Sequence, residues 1–251
     1  MPPPAPDARH APELTVVIPA FNEEHRLGAT LERVLGYLAR RGLDAEVLVA
    51  DDGSTDGTPA VAEGLAARGV GLLRDPQNRG KGAAVRRGVL ASRGRRVLIS
   101  DADLSTPIEE LPRLEARLHQ APLVYGSRAV AGARVTRRQP LYREWMGKCF
   151  NRIIRLAGVG GIRDTQCGFK LLDGAVAREL FRDLVTDGFA FDVELTWRAR
   201  QRGHRIVEVG VEWVDSRPSR VRPLADSLAM LSEVLRFRLL YRARPSAKRQ
   251  E

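Results

Sequence analysis

Arg96-Val97-Leu98-Ile99-Ser100-Asp101-Ala102-Asp103 is a short apolar run that stops at two carboxylates separated by one alanine. Strand side chains repeat every two residues, so a strand ending here points Asp101 and Asp103 to the same side of its end. The same grammar recurs along the chain. Leu14-Thr15-Val16-Val17-Ile18 runs into Pro19-Ala20-Phe21-Asn22-Glu23-Glu24, and the run 45–50 ends in Asp51-Asp52-Gly53-Ser54-Thr55-Asp56-Gly57. Short β-branched runs alternate with longer amphipathic ones, which predicts a mostly parallel α/β sheet flanked by helices. Strands are predicted at 14–18, 45–50, 70–74, 96–100 and 123–126, and helices at 24–40, 57–68, 81–92 and 108–120. Such strands present their carboxyl ends to a common crevice. The candidate motifs all fall at those ends.

Past residue 126 the regularity weakens. Residues 127–143 read as a loop crowded with Arg128, Arg134, Arg137, Arg138 and Arg143. A helix is predicted over 141–157, a returning strand over 164–172, a helix over 191–202 and a strand over 205–214. At 224–241, Leu224, Leu228, Leu231 and Leu235 form one helical stripe flanked by Val234 and Phe237, with Arg236, Arg238, Arg242, Arg244, Lys248 and Arg249 around and beyond it. This basic amphipathic helix fits either an anionic membrane interface or the surface of its own domain. The expected organisation is a proline-rich disordered leader at 1–12, one α/β domain at 13–222, and the basic helix and tail at 223–251.

The 251 residues suffice for one sizeable core. A net charge of +10 points to anionic partners: nucleic acid, a nucleotide diphosphate or an acidic membrane surface. Two cysteines, Cys149 and Cys167, give neither a disulfide framework nor zinc spacing, so a cytoplasmic location is expected. No apolar stretch approaches the roughly 20 residues needed to span a bilayer. Membrane contact is therefore expected to be peripheral or through a partner.

Each motif has a chemical reading and a plainer one. Two hard carboxylates at Asp101 and Asp103 suit Mg²⁺ or Mn²⁺ on a diphosphate; alone they also suit a solvated turn. The acids of 19–24 complement a helix dipole and fit a capping turn. The acidic loop 51–57 suits the hydroxyls of a ribose or the N–H of a base, with an Asx turn and an N-cap at Ser54 or Asp56 accounting for part of it. Asn78-Arg79-Gly80-Lys81-Gly82 puts a cation and pliable backbone at a helix start, where phosphate is attracted. Neither the P-loop nor the dinucleotide glycine spacing is present. A basic nucleic-acid-binding protein fits the charge, but not these acidic strand-end motifs.

Taken together, Pro19–Glu24, Asp51–Asp56, Asn78–Gly82 and Asp101–Asp103 resemble the family 2 glycosyltransferases of the GT-A (Rossmann-like) fold. Gly126-Ser127-Arg128, Arg163-Asp164-Thr165-Gln166-Cys167-Gly168-Phe169-Lys170, Phe191-Asp192-Val193-Glu194-Leu195, and Trp213 with Ser219-Arg220 look like its dolichyl-phosphate β-glucosyltransferase branch. The polyprenyl-phosphate mannose synthases, which use GDP-mannose, share the first half but are less similar over Asp164–Lys170. The resemblance implies that Pro19, Phe21 and Glu23 hold the nucleoside, Asp52 the base or ribose, Lys81 and Asp101 the donor region, and Asp101 and Asp103 the metal. Ser105 stands where the mannose synthases have another possible ligand. The branch's membrane-anchoring segments are absent from this sequence, which leaves the mode of membrane contact open.

The implied reaction is inverting transfer of a hexose, glucose from UDP-glucose, to a polyprenyl or dolichyl phosphate at the cytoplasmic face of a membrane. A phosphate acceptor is already anionic, so no strong general base is required. Arg128, Arg138, Arg143 and Lys170 are candidates for gripping that phosphate. Asp164, Lys170 and Asp192 are the candidate catalytic set, the two acids orienting acceptor or sugar hydroxyls, while Glu194 also fits a helix start. Trp145, Trp197 and Trp213 read as core.

Overall fold

The computed structural model describes residues 11–137 and 161–214, together with 230, 232–234, 236, 237 and 239. Strands β1 (Leu14–Ala20), β2 (Ala45–Asp52), β3 (Val70–Asp75), β4 (Arg96–Ile99), β5 (Leu123–Ser127), β7 (Lys170–Asp173) and β8 (Ile206–Gly210) form one sheet, in the order β3-β2-β1-β4-β7-β5-β8. Every pairing is parallel except those of β7, which runs antiparallel to both neighbours. Strands β6 (Arg134–Arg137) and β9 (Glu212–Val214) make a separate parallel ribbon. The helices are α1 (Glu24–Arg40), α2 (Thr58–Glu63), α3 (Lys81–Ala91), α4 (Leu111–Glu115), α5 (Gly174–Arg182) and α6 (Phe191–Gln201).

β1 reads LTVVIPA and is buried throughout, as a strand covered on both faces must be. Its alternation splits the core in two. Leu14, Val16 and Ile18 pack with Leu27, Leu31 and Val34 of α1 on one face; Val17 packs with Val85 and Val89 of α3 and Leu195 of α6 on the other. α1 buries Leu27, Thr30, Leu31, Val34, Tyr37 and Leu38 at helical spacing. It closes with Leu43 N–H on Leu38 O (3.1 Å) and Gly42 N–H on Ala39 O (3.0 Å), a Schellman ending that Gly42 permits at φ +58°. α3 lies so close to β1 that a Cβ on Gly88 would stand 2.3 Å from Val17 Cγ1.

Several expectations shift. The helix expected over 57–68 divides into α2 and a 3₁₀ turn at Ala66–Arg68, with Gly64 at the end of α2. That over 108–120 becomes a 3₁₀ turn at Ile108–Glu110 followed by the short α4, because Ile108, Leu111 and Leu114 are its buried residues and the chain then tightens into i→i+3 bonds. Of the strand expected over 164–172 only β7 forms. Arg163 and Asp164 give their N–H groups to the Glu208 carboxylate (2.7 and 2.9 Å) instead of to a ladder. The strand expected over 205–214 breaks at Val211, β8 staying in the main sheet and β9 leaving to pair with β6. β6 itself lies within the arginine-rich segment expected to be loop. α5 was not anticipated; Asp173 caps it by accepting from Ala175 and Val176 N–H, both at 3.0 Å.

Pro12, assigned to the leader, is buried, and its carbonyl accepts from Arg95 N–H (2.9 Å). Residues 1–10, the helix expected over 141–157, and Leu224, Leu228, Leu231 and Leu235 lie outside the described residues. The described helical residues near the C-terminus turn Met230, Val234 and Phe237 onto Ala190, Val193 and Trp197. No helix among the described residues is long and apolar enough to cross a membrane.

The Gly88–Val17 contact is testable. Gly88→Ala should cost about 1–3 kcal/mol by overpacking, read as a fall in urea midpoint. Because the two residues share one contact, Gly88→Ala/Val17→Ala should be less destabilised than the sum of the single variants. Strict additivity would contradict the contact.

Candidate active site

β1, β2, β3 and β4 are mutually parallel, so the loops that follow them leave one end of the sheet, where parallel α/β sheets hold their ligands. The antiparallel β7 brings its beginning to the same end: Ile99, the last residue of β4, pairs with Lys170, the first of β7. Residues 163–169 thereby join the loops that follow β1, β2, β3 and β4.

The first two loops hold each other. Asn22, at φ +54°, donates its N–H to Ser54 Oγ (2.8 Å) and accepts Thr55 N–H on Oδ1 (2.8 Å). Glu23 N–H meets Thr58 Oγ1 (2.6 Å), and Glu24 Oε2 accepts Gly57 N–H (2.7 Å). Asp51 accepts Ser54 N–H three residues on at 3.3 Å, and the residue preceding α2 is Gly57 rather than Ser54 or Asp56. The expected Asx turn is made by Asp56, whose Oδ1 accepts Thr58 N–H two residues on (3.0 Å). Asp52 accepts N–H from Arg79 (3.1 Å) and Gly80 (2.7 Å), so its buried carboxylate fixes the third loop. Burial pushes the Asp52 carboxyl above its ordinary value, against the pull of those two donors. Pro19 is buried inside β1, while Phe21 and Glu23 are half-buried beyond its end.

Three acid–base pairs line the floor and side of the crevice. Lys81 Nζ stands 2.6 Å from Asp101 Oδ1, and Lys170 Nζ 2.6 Å from Asp192 Oδ1. Arg128 grips Asp164 with a fork, Nε to Oδ2 at 2.8 Å and Nη2 to Oδ1 at 2.9 Å, and adds its backbone N–H at 2.9 Å. Their depths differ. The side chains of Lys170 and Asp192 are 1% and 6% exposed, those of Lys81 and Asp101 23% and 33%, and that of Arg128 30%, so Lys81, Asp101 and Arg128 are open to a ligand and the Lys170–Asp192 pair is not. Lys170 is further held by Cys167 O (2.5 Å) and lies 5.1 Å from the centre of the Tyr125 ring. The Arg128 guanidinium lies 5.4 Å from the Trp213 ring, so Trp213, expected in the core, instead supports a crevice cation.

Burial alone would raise the Asp101 carboxyl, but Lys81, then Lys170 and Arg128, outweigh it and hold the group below its ordinary value. Asp164 behaves likewise, with Arg128 overcoming burial. Burial works against the Lys81 ammonium, and Asp101, Asp192 and Asp103 more than compensate. For Asp192 burial wins, and its carboxyl is raised despite Lys170 and Lys81. Gly168 leaves the space Asp101 occupies: a Cβ there would lie 1.9 Å from Asp101 Oδ2.

Asp101 and Asp103 do not stand on a strand. β4 ends at Ile99, and both acids sit in a turn beyond it, with Leu104 at φ +45° and Leu104 N–H on Asp101 O (3.1 Å). Strand alternation therefore does not align them, yet both carboxylates act on the same two cations, Lys81 and Arg26. Asp103 Oδ1 accepts Ser105 N–H (2.9 Å), and Ser105 itself is buried. Among the described residues no group of three or more His, Cys, Asp or Glu is placed to hold a metal. Asp101 and Asp103 would supply two hard oxygens, leaving further positions to a ligand and water, which fits Mg²⁺ or Mn²⁺ on a diphosphate.

The structure thus brings Lys81, Asp101, Asp103, Arg128, Asp164, Lys170 and Asp192 to one crevice. Arg138 and Arg143 lie outside the described residues. Sequence reasoning missed Arg26, bonded to the Glu23 carboxylate. It also left Glu194 as a possible helix-start residue; the side chain is fully buried and accepts Val185 N–H (3.1 Å), Thr186 N–H (2.8 Å) and Arg198 Nε (2.8 Å). Only the i, i+4 spacing of Glu194 and Arg198 signalled part of this.

Comparison with known proteins agrees with this layout. The family model described as Glycosyl transferase family 2 matches residues 15–181. The dolichyl-phosphate beta-glucosyltransferase of Drosophila melanogaster is 38% identical over 234 residues, covering 87% of this chain and 72% of that protein. That of Mus musculus is 36% identical, covering 91% and 76%. Among solved structures, glucosyl-3-phosphoglycerate synthase from Mycobacterium tuberculosis with Mn²⁺, UDP-glucose and phosphoglyceric acid superposes with a TM-score of 0.65 at 22% identity, covering 90% of this chain and 79% of that one. Mannosyl-3-phosphoglycerate synthase from Rubrobacter xylanophilus gives 0.66 at 20% identity, covering 95% and 77%. At these identities the structural likeness speaks for the fold.

Two stability measurements follow from the pairs. Lys170→Met leaves Asp192 buried without its cation and should cost about 3–5 kcal/mol, and Lys170→Met/Asp192→Leu should recover part of that loss. The ionised Asp164, held below its ordinary value, stabilises the fold above the unfolded-state value of about 4, and this contribution is lost as pH falls through the folded one. The stability gap between wild type and Asp164→Asn should therefore be widest near pH 7 and shrink below about pH 4 in urea melts.

Proposed function

The chain belongs to glycosyl transferase family 2, and we propose that it transfers glucose from UDP-glucose to a polyprenyl phosphate of the dolichyl type, with inversion at the anomeric carbon. One observation carries the reading. Asp101 stands 2.6 Å from Lys81, beside Asp103, at the strand-end crevice of a chain whose likeness to dolichyl-phosphate beta-glucosyltransferases runs over 91% of its length.

In this reading Phe21 and Glu23 flank the nucleoside, the buried Pro19 shapes the floor beneath it, and Asp52 holds the 79–80 backbone against the ribose. Lys81 donates to the diphosphate. Asp101 and Asp103 would hold Mg²⁺ or Mn²⁺, which supplies Lewis-acid neutralisation of the charge on the departing diphosphate. An acceptor phosphate oxygen attacks the anomeric carbon as the bond from that carbon to the UDP oxygen breaks, and UDP leaves. The nucleophile is already an anion, so the protein's task is to bring two anions together and align them. Arg128, steadied by Asp164 and Trp213, presents a fixed cation to the acceptor phosphate, with Arg138 and Arg143 as further contacts. Lys170 and Asp192 lie too deep to reach a lipid phosphate directly. They set the potential under Asp101, Lys170 favouring its charged form.

A lipid-linked acceptor puts the reaction at a membrane surface. The net charge of +10 favours an anionic one. The cytoplasmic face is supported by the free, buried thiol of Cys167 in a chain with one other cysteine.

The decisive assay incubates purified protein with UDP-glucose or GDP-mannose, a short polyprenyl phosphate and Mn²⁺ or Mg²⁺. Glucosyl lipid should form from UDP-glucose, vanish on chelation, and fall by a hundredfold or more, on the order of a lost transition-state contact, in Asp103→Ala. A mannosyl product would overturn the donor assignment. No product from either donor would overturn the transferase reading.

A further inference from the structure

Residues 183–190, between α5 and α6, wall the turn that carries Lys81. A Cβ on Gly80 would stand 2.5 Å from Asp187 O, and one on Gly82 2.5 Å from Thr186 O. Ala83 donates its N–H to Asp187 O (3.0 Å). This wall is irregular backbone outside any strand, so side chains must satisfy its donors. Two glutamates do so from opposite ends. Glu194 takes the N–H groups of Val185 and Thr186. Glu233, near the C-terminus, takes those of Gly188 (3.1 Å) and Ala190 (3.2 Å).

Glu233 is seated closely, since a Cβ on Gly188 would lie 2.2 Å from its Oε1. Its two partners lead to two parts of the site. Gly188 follows Asp187, whose carbonyl holds the Lys81 helix; Ala190 immediately precedes α6, whose second residue is Asp192. The same C-terminal residues also adhere through apolar contacts, Met230, Val234 and Phe237 against Ala190, Val193 and Trp197, with the Phe237 and Trp197 rings 5.9 Å apart. Adhesion and backbone capture are thus carried by different side chains.

We propose that Glu233 is a positioning residue for the donor side of the crevice, fixing Lys81 and Asp192 through the backbone of 187–190. The C-terminal segment is in this way part of the donor site although it supplies no group that touches the sugar nucleotide. The inference rests on the reading that the crevice binds UDP-glucose.

Glu233→Ala, Glu233→Gln and Phe237→Ala separate the two roles. UDP-glucose affinity by calorimetry, KM and kcat, thermal unfolding, and amide exchange at residues 185–190 are compared with wild type. Glu233→Ala should weaken UDP-glucose binding about tenfold through misplacement of Lys81 and speed exchange at 188 and 190. Glu233→Gln, which keeps one acceptor oxygen, should fall between. Phe237→Ala should lower the melting temperature at least as much yet keep wild-type donor affinity. Equal donor affinity in wild type and Glu233→Ala, or an equal loss in Phe237→Ala, overturns the positioning role while leaving the transferase reading intact. A wild-type protein that binds no UDP-glucose overturns both.

Discussion

The pairing of buried acids with buried bases at one end of the sheet is the constraint on which the site depends. An isolated ion taken from water into the protein interior is costly, and a pair repays that cost only when its geometry is good and its remaining hydrogen bonds are met. Here the sheet enforces the geometry. The antiparallel insertion of β7 between β4 and β5 sets Lys170 opposite Ile99, two residues before Asp101, and Lys170 meets Asp192 from α6. The deep pair lies near enough to act electrostatically on the half-open Lys81–Asp101 pair. Such an arrangement is weak as a source of stability and strong as a source of position, since each charge has one place in which it is satisfied.

Much of the fold was legible because the first half of the chain obeys a single rule. Strands buried on both faces carry their own continuous signal, as β1 does with seven consecutive buried residues, and α1 reproduces its expected bounds because its apolar stripe and closing glycine agree. Legibility fails where side chains replace ladders. Residues 164–172 read as one returning strand, but Glu208 takes the N–H groups of Arg163 and Asp164 and Arg128 takes the Asp164 carboxylate, so the strand begins only at Lys170. β6 was hidden because a four-residue strand within an arginine-rich segment looks like solvated loop.

The candidate site shows the same division. Asp101, Asp103 and Lys81 were found through their position at the ends of apolar runs, though the turn beyond β4, not strand alternation, brings the two acids near the same cations. Lys170 was read as a grip on the acceptor phosphate and a catalytic candidate because sequence reports a cation and not its depth. The antiparallel register of β7 places it, 1% exposed, beneath the crevice. Gly168 and Glu233 carried no signal of their part, because each matters through a residue far away in sequence, and Arg26 carried only its i, i+3 spacing to Glu23.

Those distant partners explain why so few groups in the crevice are left to move. Asp52 holds the turn before Lys81 from one side and the 186–188 backbone holds it from the other, itself secured by Glu194 and Glu233. Arg128 is fixed by a fork to Asp164 and backed by Trp213. A reaction that joins an anionic acceptor to an anionic donor gains most from cations already oriented, because dipoles and charges that need not reorganise stabilise the developing charge without a further cost. The carboxylates beneath the crevice keep neighbouring cations charged and stationary, and leave the edges of Lys81 and Arg128 exposed to it.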